Sequence, residues 1–146
     1  MKAVQDIGFR RMKKLVLFGE KYMKKLVQER FPPPSSPGQA PHKRTGVLYS
    51  SVQGKVVRTH GKVVGIVHAT ALKRGRPYPL FLETGTEDVK ERPFIAPTME
   101  AMESQVSSTM VAPFNNAEYN YLKKRSRMLH DLGNIRIQEP RMVIRI

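Results

Sequence analysis

The chain contains no cysteine and no tryptophan. The first absence excludes disulfides and thiolate metal sites. The second, with 40% apolar residues, describes a globular chain with a modest core. No run approaches the roughly 20 apolar residues that span a bilayer. The basic N-terminal stretch has its apolar residues spaced and broken by charge, so it does not read as a secretory leader. The most informative absence is of acid: from Phe31 to Leu82 there is no Asp or Glu.

Against that gap stand Lys43, Arg44, Lys55, Arg58, Lys62, Lys73, Arg74 and Arg76, and the net charge is +14. Seven of the twelve acids then fall between Glu83 and Glu118, where the only bases are Lys90 and Arg92. Such a chain is attracted to nucleic acid, to anionic surfaces or to an acidic protein. A chain divided this way also attracts copies of itself, basic face to acidic face. At 146 residues it reads as a single domain over 1–146 with one core.

Residues 3 to 30 read as a long amphipathic helix. Val4, Ile7, Leu15, Phe18, Tyr22 and Leu26 recur at steps of three or four, and Met12, Val16, Met23 and Val27 widen the stripe. Gly8 and Gly19 each weaken it by about 1 kcal/mol relative to Ala. Pro32, Pro33 and Pro34 end it. The Pro/Ser/Gly stretch 31–43 reads as an extended, mobile loop.

From Thr45 the pattern alternates as a strand through Val57. His60-Gly61 supplies a turn, and Lys62 to Ala69 returns as the partner strand. Val56-Val57 and Val63-Val64 place apolar residues on both faces, so the hairpin tip is expected to be covered on both sides. Lys73 to Pro77 reads KRGRP, a sequence resembling an AT-hook, whose Arg-Gly-Arg-Pro core lies in the minor groove of A·T-rich DNA. One copy flanked by apolar sequence reads instead as a basic loop.

Tyr78 to Pro97 packs apolar positions, a Gly turn, an acidic run and two prolines into a buried crossing between two folded pieces. Pro97 suits the first position of a helix over Thr98–Val111, with Met99, Met102, Val106 and Met110 at helical spacing, the methionines as soft core or interface filler, and Glu100 and Glu103 near its start. A further helix over Asn116–Leu132 carries Tyr119, Leu122 and Leu129 inward and Lys123, Lys124, Arg125 and Arg127 outward, ending at Gly133-Asn134. The tail, IRIQEPRMVIRI, alternates as one or two short strands that need a sheet to join. The architecture expected is α+β: a long N-terminal helix, a small antiparallel sheet with a central hairpin, later helices and a C-terminal strand.

No set of side chains reads as a catalytic, cofactor or metal site. His42, His60, His68 and His130 fall in four different elements without metal-ligand spacing. Glu83, Glu87, Asp88 and Glu91 lack the alternation of a calcium loop, and no nucleophile accompanies them. No enzyme activity and no cofactor are expected.

Two stretches carry a resemblance. Arg44-Thr45-Gly46-Val47-Leu48-Tyr49-Ser50-Ser51-Val52 resembles the RTGxLxxS(I/V) entry strand of the tail-component and head–tail joining family of lambdoid tailed phages, the family of minor tail protein Z. The family's second mark is an aromatic-led segment ending E-x-GT, then PF and a nearby proline before a helix. It is matched by Tyr78, Glu83, Gly85 and Thr86, then Pro93, Phe94 and Pro97. The likeness covers about the first three quarters of the chain, with 113–146 as a C-terminal extension.

The resemblance implies a structural virion protein of the neck or tail end, assembled in the host cytoplasm. It implies a ring, commonly six-fold, that completes the tail or joins it to the head. The partners implied are the chain itself, other neck and tail proteins, and genomic DNA in the channel, with no membrane. The roles implied are architectural: Thr45, Gly46, Leu48 and Ser51 at the first mark, Gly46 and Gly85 as backbone turns, and Leu48, Phe81 and Phe94 as anchors. Subunit or nucleic-acid contacts are expected at Lys73, Arg74, Arg76, Glu87, Asp88, Glu91, Lys123, Lys124 and Arg125. The alternative is a basic DNA-binding accessory protein of a phage or mobile element.

Overall fold

A computed structural model describes the backbone of residues 2–29, 32–59, 61–128 and 143–145, and the side chains of 5–29, 32–59 and 61–124. The fold is α+β, a long N-terminal helix laid across a β-hairpin with later helices alongside. Helix α1, Lys2–Leu26, buries Ile7, Met12, Leu15, Val16 and Met23, while Phe18, Tyr22 and Leu26 are only half-buried. The inward stripe is therefore centred on the residues that widen the sequence pattern. The helix ends at Leu26, short of the prolines. Gln28 N–H turns back to the Lys25 carbonyl at 3.3 Å, and the Glu29 carbonyl accepts the N–H of Lys43 at 2.5 Å instead of continuing the helix.

The loop after α1 is tied down rather than free. His42 Nδ1 lies 2.6 Å from the Pro33 carbonyl, His42 Nε2 is 3.1 Å from Glu29, and Gly38 N–H donates to the Glu91 carbonyl at 3.0 Å. Ser35 and Pro41 are buried.

The strand expected from Thr45 begins only at Val52. Residues Val47–Ser51 form a one-turn helix, α2. Gly46 stands at φ 81°, in the left-handed region, and its carbonyl accepts the N–H of Ser50 at 2.9 Å. The Ser50 and Ser51 hydroxyls donate to the Val47 and Leu48 carbonyls at 3.1 and 2.8 Å. These local bonds give the segment a helical alternative to the ladder.

Strands β1, Val52–Thr59, and β2, Lys62–Ala69, pair antiparallel from Val52↔Ala69 to Thr59↔Lys62, leaving a two-residue turn at 60–61. His60 itself lies outside the described residues. The face carrying Val52, Gly54, Val63, Gly65 and Val67 meets α1. A Cβ on Gly65 would come within 2.6 Å of Met12 Sδ and Val16 Cγ2, and one on Gly54 within 2.6 Å of Val16 Cγ1. Both glycines thus let the helix lie directly on the sheet. Glu20 adds a polar stitch, accepting Gly54 N–H at 2.9 Å while held by Lys24 at 2.6 Å. Val57, Val64 and Ile66 on the other face are half-buried.

Two short strands, β3 Leu72–Lys73 and β4 Arg76–Pro77, lead into helix α3, Tyr78–Thr84. Helix α4, Ile95–Val106, starts two residues before Pro97 and widens into a π-helical turn at Ser107–Val111. Met102 is buried against α1 at Gly19, which is why that glycine, costly to the isolated helix, stands at the crossing. Met99 is 36% exposed and is not core. Helix α5, Asn116–Met128, leaves Tyr119 exposed, and Leu122 is half-buried. Asn115 caps it: Asn115 Oδ1 accepts Glu118 N–H at 2.9 Å and Glu118 Oε2 accepts Asn115 N–H at 3.1 Å.

The expected end of α5 beyond Met128, with Leu129, His130 and Gly133-Asn134, lies outside the described residues. So does nearly all of the expected C-terminal strand. Only the backbone of Val143–Arg145 is described, beside Val64–Ile66 in parallel register. No helix of the described residues is long and apolar enough to cross a membrane.

Candidate interaction surface

Residues 71–98 form one continuous joint built around α3. At its start, β3 and β4 pair as Leu72↔Pro77 and Lys73↔Arg76, with Arg74 at φ 52° and Gly75 at φ 74° turning the corner. Tyr78 N–H donates to the Ala71 carbonyl at 3.2 Å and closes the base of this tip. Lys73 Nζ lies 5.6 Å from the centre of the Tyr78 ring. The KRGRP sequence is thus a closed basic turn, not the extended chain that follows a DNA groove. Lys73, Arg74 and Arg76 are all exposed.

Helix α3 buries Pro79 and Leu82 and leaves Leu80 52% exposed. Its inward anchor is Leu82, while Phe81 is half-buried. Tyr78 and Leu48 pack on the edge of the core, and Phe94 is fully buried within it. The crossing is buried only at its two ends, because Glu87 to Glu91 loop out into solvent.

That loop is held by backbone bonds. Gly85, at φ 70° and ψ 177°, occupies a region open essentially to glycine alone. Thr86 N–H donates to the Val89 carbonyl at 2.7 Å, Val89 N–H meets Thr86 Oγ1 at 3.1 Å, and Arg92 N–H returns to the Leu82 carbonyl at 2.6 Å. Glu87, Asp88 and Glu91 are thereby presented on a fixed turn, with Lys90 among them.

Glu83 has a different task. Its carboxylate accepts the backbone N–H of Phe94, Ile95 and Ala96 at 2.9, 2.9 and 2.8 Å. A helix start leaves its first N–H groups without intrahelical partners. Here Glu83 takes three of them, and the next residue, Pro97, has none to satisfy. The anion that complements the α4 dipole comes from α3, not from Glu100 or Glu103. Thr98 Oγ1 donates to the Phe94 carbonyl at 2.6 Å and locks the same turn.

The remaining sequence-selected residues stand apart from this joint. Thr45 Oγ1 is 3.5 Å from Val47 N–H at the start of α2, near Gly46, Leu48 and Ser51. Lys123 and Lys124 are exposed on α5, which packs on α1; the Arg125 side chain lies outside the described residues. A groove of about 550 Å³ at the end of α1 is lined by Lys25, Gln28, Glu29, Lys43 and Tyr49, none of them selected from the sequence as contacts. Among the described residues, no three His, Asp or Glu side chains group as a metal site.

Arg11 was missed as a structural centre. Its guanidinium donates to both Glu118 oxygens at 2.9 and 2.6 Å and to the Met110, Ala112 and Pro113 carbonyls at 3.1, 2.5 and 3.1 Å. Those carbonyls end the π-helical turn, and Glu118 opens α5, so one side chain fixes both. Hydrogen bonding to Glu118 raises the Arg11 pKa against the effect of burial. Hydrogen bonding to Arg11 likewise lowers that of Glu118, with burial opposing and the Asn115 N–H assisting. The signal was present: Arg11 lies four residues from both Ile7 and Leu15, on the apolar stripe itself.

No family model, curated protein or solved structure matches the chain.

Proposed function

We propose that the chain is a structural virion protein of a tailed phage, at the neck or tail end. It acts as a ring of identical subunits that completes the tail or joins it to the head. The observation that supports this reading is the Glu83 contact. The E-x-GT and PF marks of the resemblance are separate in sequence, yet they form one hydrogen-bonded unit through the Glu83 carboxylate and the Phe94–Ala96 amides. In this reading the motif residues fix the shape of a joint, and the joint presents oppositely charged turns to neighbouring subunits. Two different patches meeting head to tail generate a ring when the rotation closes.

Size-exclusion chromatography with light scattering, over protein concentration and salt and with neck or tail components added, tests the reading. A closed oligomer, strongest at low salt, is the expected result. A monomer under every condition rejects it.

A second reading, a basic DNA-binding accessory protein, is favoured by the exposed Lys73, Arg74 and Arg76 turn. Duplex binding would then weaken with salt, log K falling with slope about 0.9 per phosphate contacted.

A further inference from the structure

We infer that the basic β3–β4 tip of one subunit docks on the acidic 87–91 loop of the next copy. The inference rests on the ring reading above and names the two halves of its interface. Four observations carry it.

The charges are complementary, and among the described residues most of them enter no ion pair. The tip carries Lys73, Arg74 and Arg76, a formal +3; the loop carries Glu87, Asp88 and Glu91 against Lys90, a formal −2. Among the described residues, Arg74, Arg76, Glu87, Asp88 and Glu91 take part in none of the ion pairs, which join Arg11–Glu118, Lys24–Glu20, His42–Glu29 and Arg58–Asp6.

The two turns sit at opposite ends of α3. Seven helical residues separate them, roughly 10 Å at 1.5 Å per residue. Each is rooted at its own end of that helix, the tip through Tyr78 N–H to Ala71 and the loop through Arg92 N–H to Leu82. Tip and loop are thus separate turns, and the charged residues of both are exposed.

Both turns are fixed before binding. The tip is closed by its ladder and the successive left-handed residues Arg74 and Gly75; the loop is closed by Thr86–Val89 and tied to Gly38 through the Glu91 carbonyl. Little ordering entropy remains to be lost on docking.

Apolar side chains accompany the charges. Leu72 is 65% exposed beside the tip, Leu80 52% on α3 and Val89 39% on the loop. They supply the desolvated centre that a charged rim alone lacks.

Charge reversal tests this in a way that folding damage cannot imitate. Variant one is Arg74→Glu with Arg76→Glu; variant two is Glu87→Lys with Asp88→Lys and Glu91→Lys. Each alone should assemble at least about tenfold more weakly, because like charges then face each other. Mixed in equal amounts, the two should assemble again, alternating in even-numbered oligomers. A chain carrying both sets of reversals should assemble by itself. Failure of the mixture and of the double-reversed chain overturns the inference, as does full assembly of either single variant. If the wild-type chain forms an oligomer that neither reversal disturbs, this interface falls and the ring reading stands. A wild-type chain that never associates removes both. Loss of duplex DNA binding in variant one, with association intact, likewise overturns the docking and assigns the tip to nucleic acid.

Discussion

Glu83 and Phe94 are eleven residues apart in the chain and 2.9 Å apart across one hydrogen bond, carboxylate oxygen to backbone N–H. Through this bond, and those to Ile95 and Ala96, α3 starts α4. The unexpected element is the source of the cap. The N-cap residue, Phe94, has no side-chain acceptor, so the capping group is imported from the preceding helix. Glu83→Ala would leave three amides without it. We expect a loss of about 2–3 kcal/mol, from charge-assisted bonds and the helix dipole together. Glu83→Gln, which keeps an acceptor oxygen but not the charge, should lose about half as much. Urea denaturation reads both, as a lower midpoint at unchanged slope.

Gly85 sets the direction in which the acidic loop leaves α3. An added Cβ would stand 3.0 Å from the Val89 carbonyl oxygen and 3.1 Å from Glu91 N, both backbone atoms that cannot swing aside. Gly85→Ala should therefore cost about 3 kcal/mol, combining backbone strain with the clash. Gly38→Ala is the comparison. Gly38 also has positive φ, 80°, but open space where the Cβ would go. There we expect only the conformational penalty, about 1 kcal/mol. Equal losses at the two sites would contradict this account of Gly85.

The long helix and the hairpin were legible because their apolar periods run over many residues. The one-turn helix Val47–Ser51 was not. Five residues are too few to separate alternation from one helical turn, and what decides the matter is a left-handed Gly46 and two serines bonding to their own backbone. The Glu83 cap was illegible for another reason. Glu100 and Glu103 lie nearer in sequence to the helix start, and only the turn through Gly85 brings Glu83 closer in space. The basic and acidic halves of the surface could be read directly from charge. That they occupy opposite ends of one short helix could not.

The crossing of α1 and α4 depends on Gly19, where a Cβ would overlap the Met102 side chain. Met102 is 1% exposed and unbranched, so it can partly adapt. Gly19→Ala should gain helix propensity but lose packing, with a net cost of about 1–2 kcal/mol. Met102→Ala alone should cost about 2–4 kcal/mol through the cavity it leaves. In the double variant the new methyl enters that cavity, so the combined loss should be smaller than the sum by about 1 kcal/mol. A double-mutant cycle by urea denaturation measures this term, and strict additivity would show that the two residues do not share the site.

Acid should loosen the attachment of α5 to α1. The folded-state pKa of Glu118 lies below its ordinary value of 4.5, chiefly because Arg11 hydrogen-bonds the ionised form. The unfolded chain therefore binds the Glu118 proton more readily than the folded one. The resulting stabilisation is fully present above about pH 4.5 and is lost as pH falls through the folded-state value. Glu20, lowered mainly by its hydrogen bond to Lys24, adds to the loss in the same direction. Glu118→Gln should be less stable at neutral pH, yet its stability should fall less steeply in acid than that of the wild type. Arg11→Met should be worse than Glu118→Gln, by about 2–3 kcal/mol, since it leaves a half-buried carboxylate and the carbonyls of Met110, Ala112 and Pro113 without their donor. Parallel acid slopes for the wild type and Glu118→Gln would place the proton uptake on another group and remove Glu118 as its source.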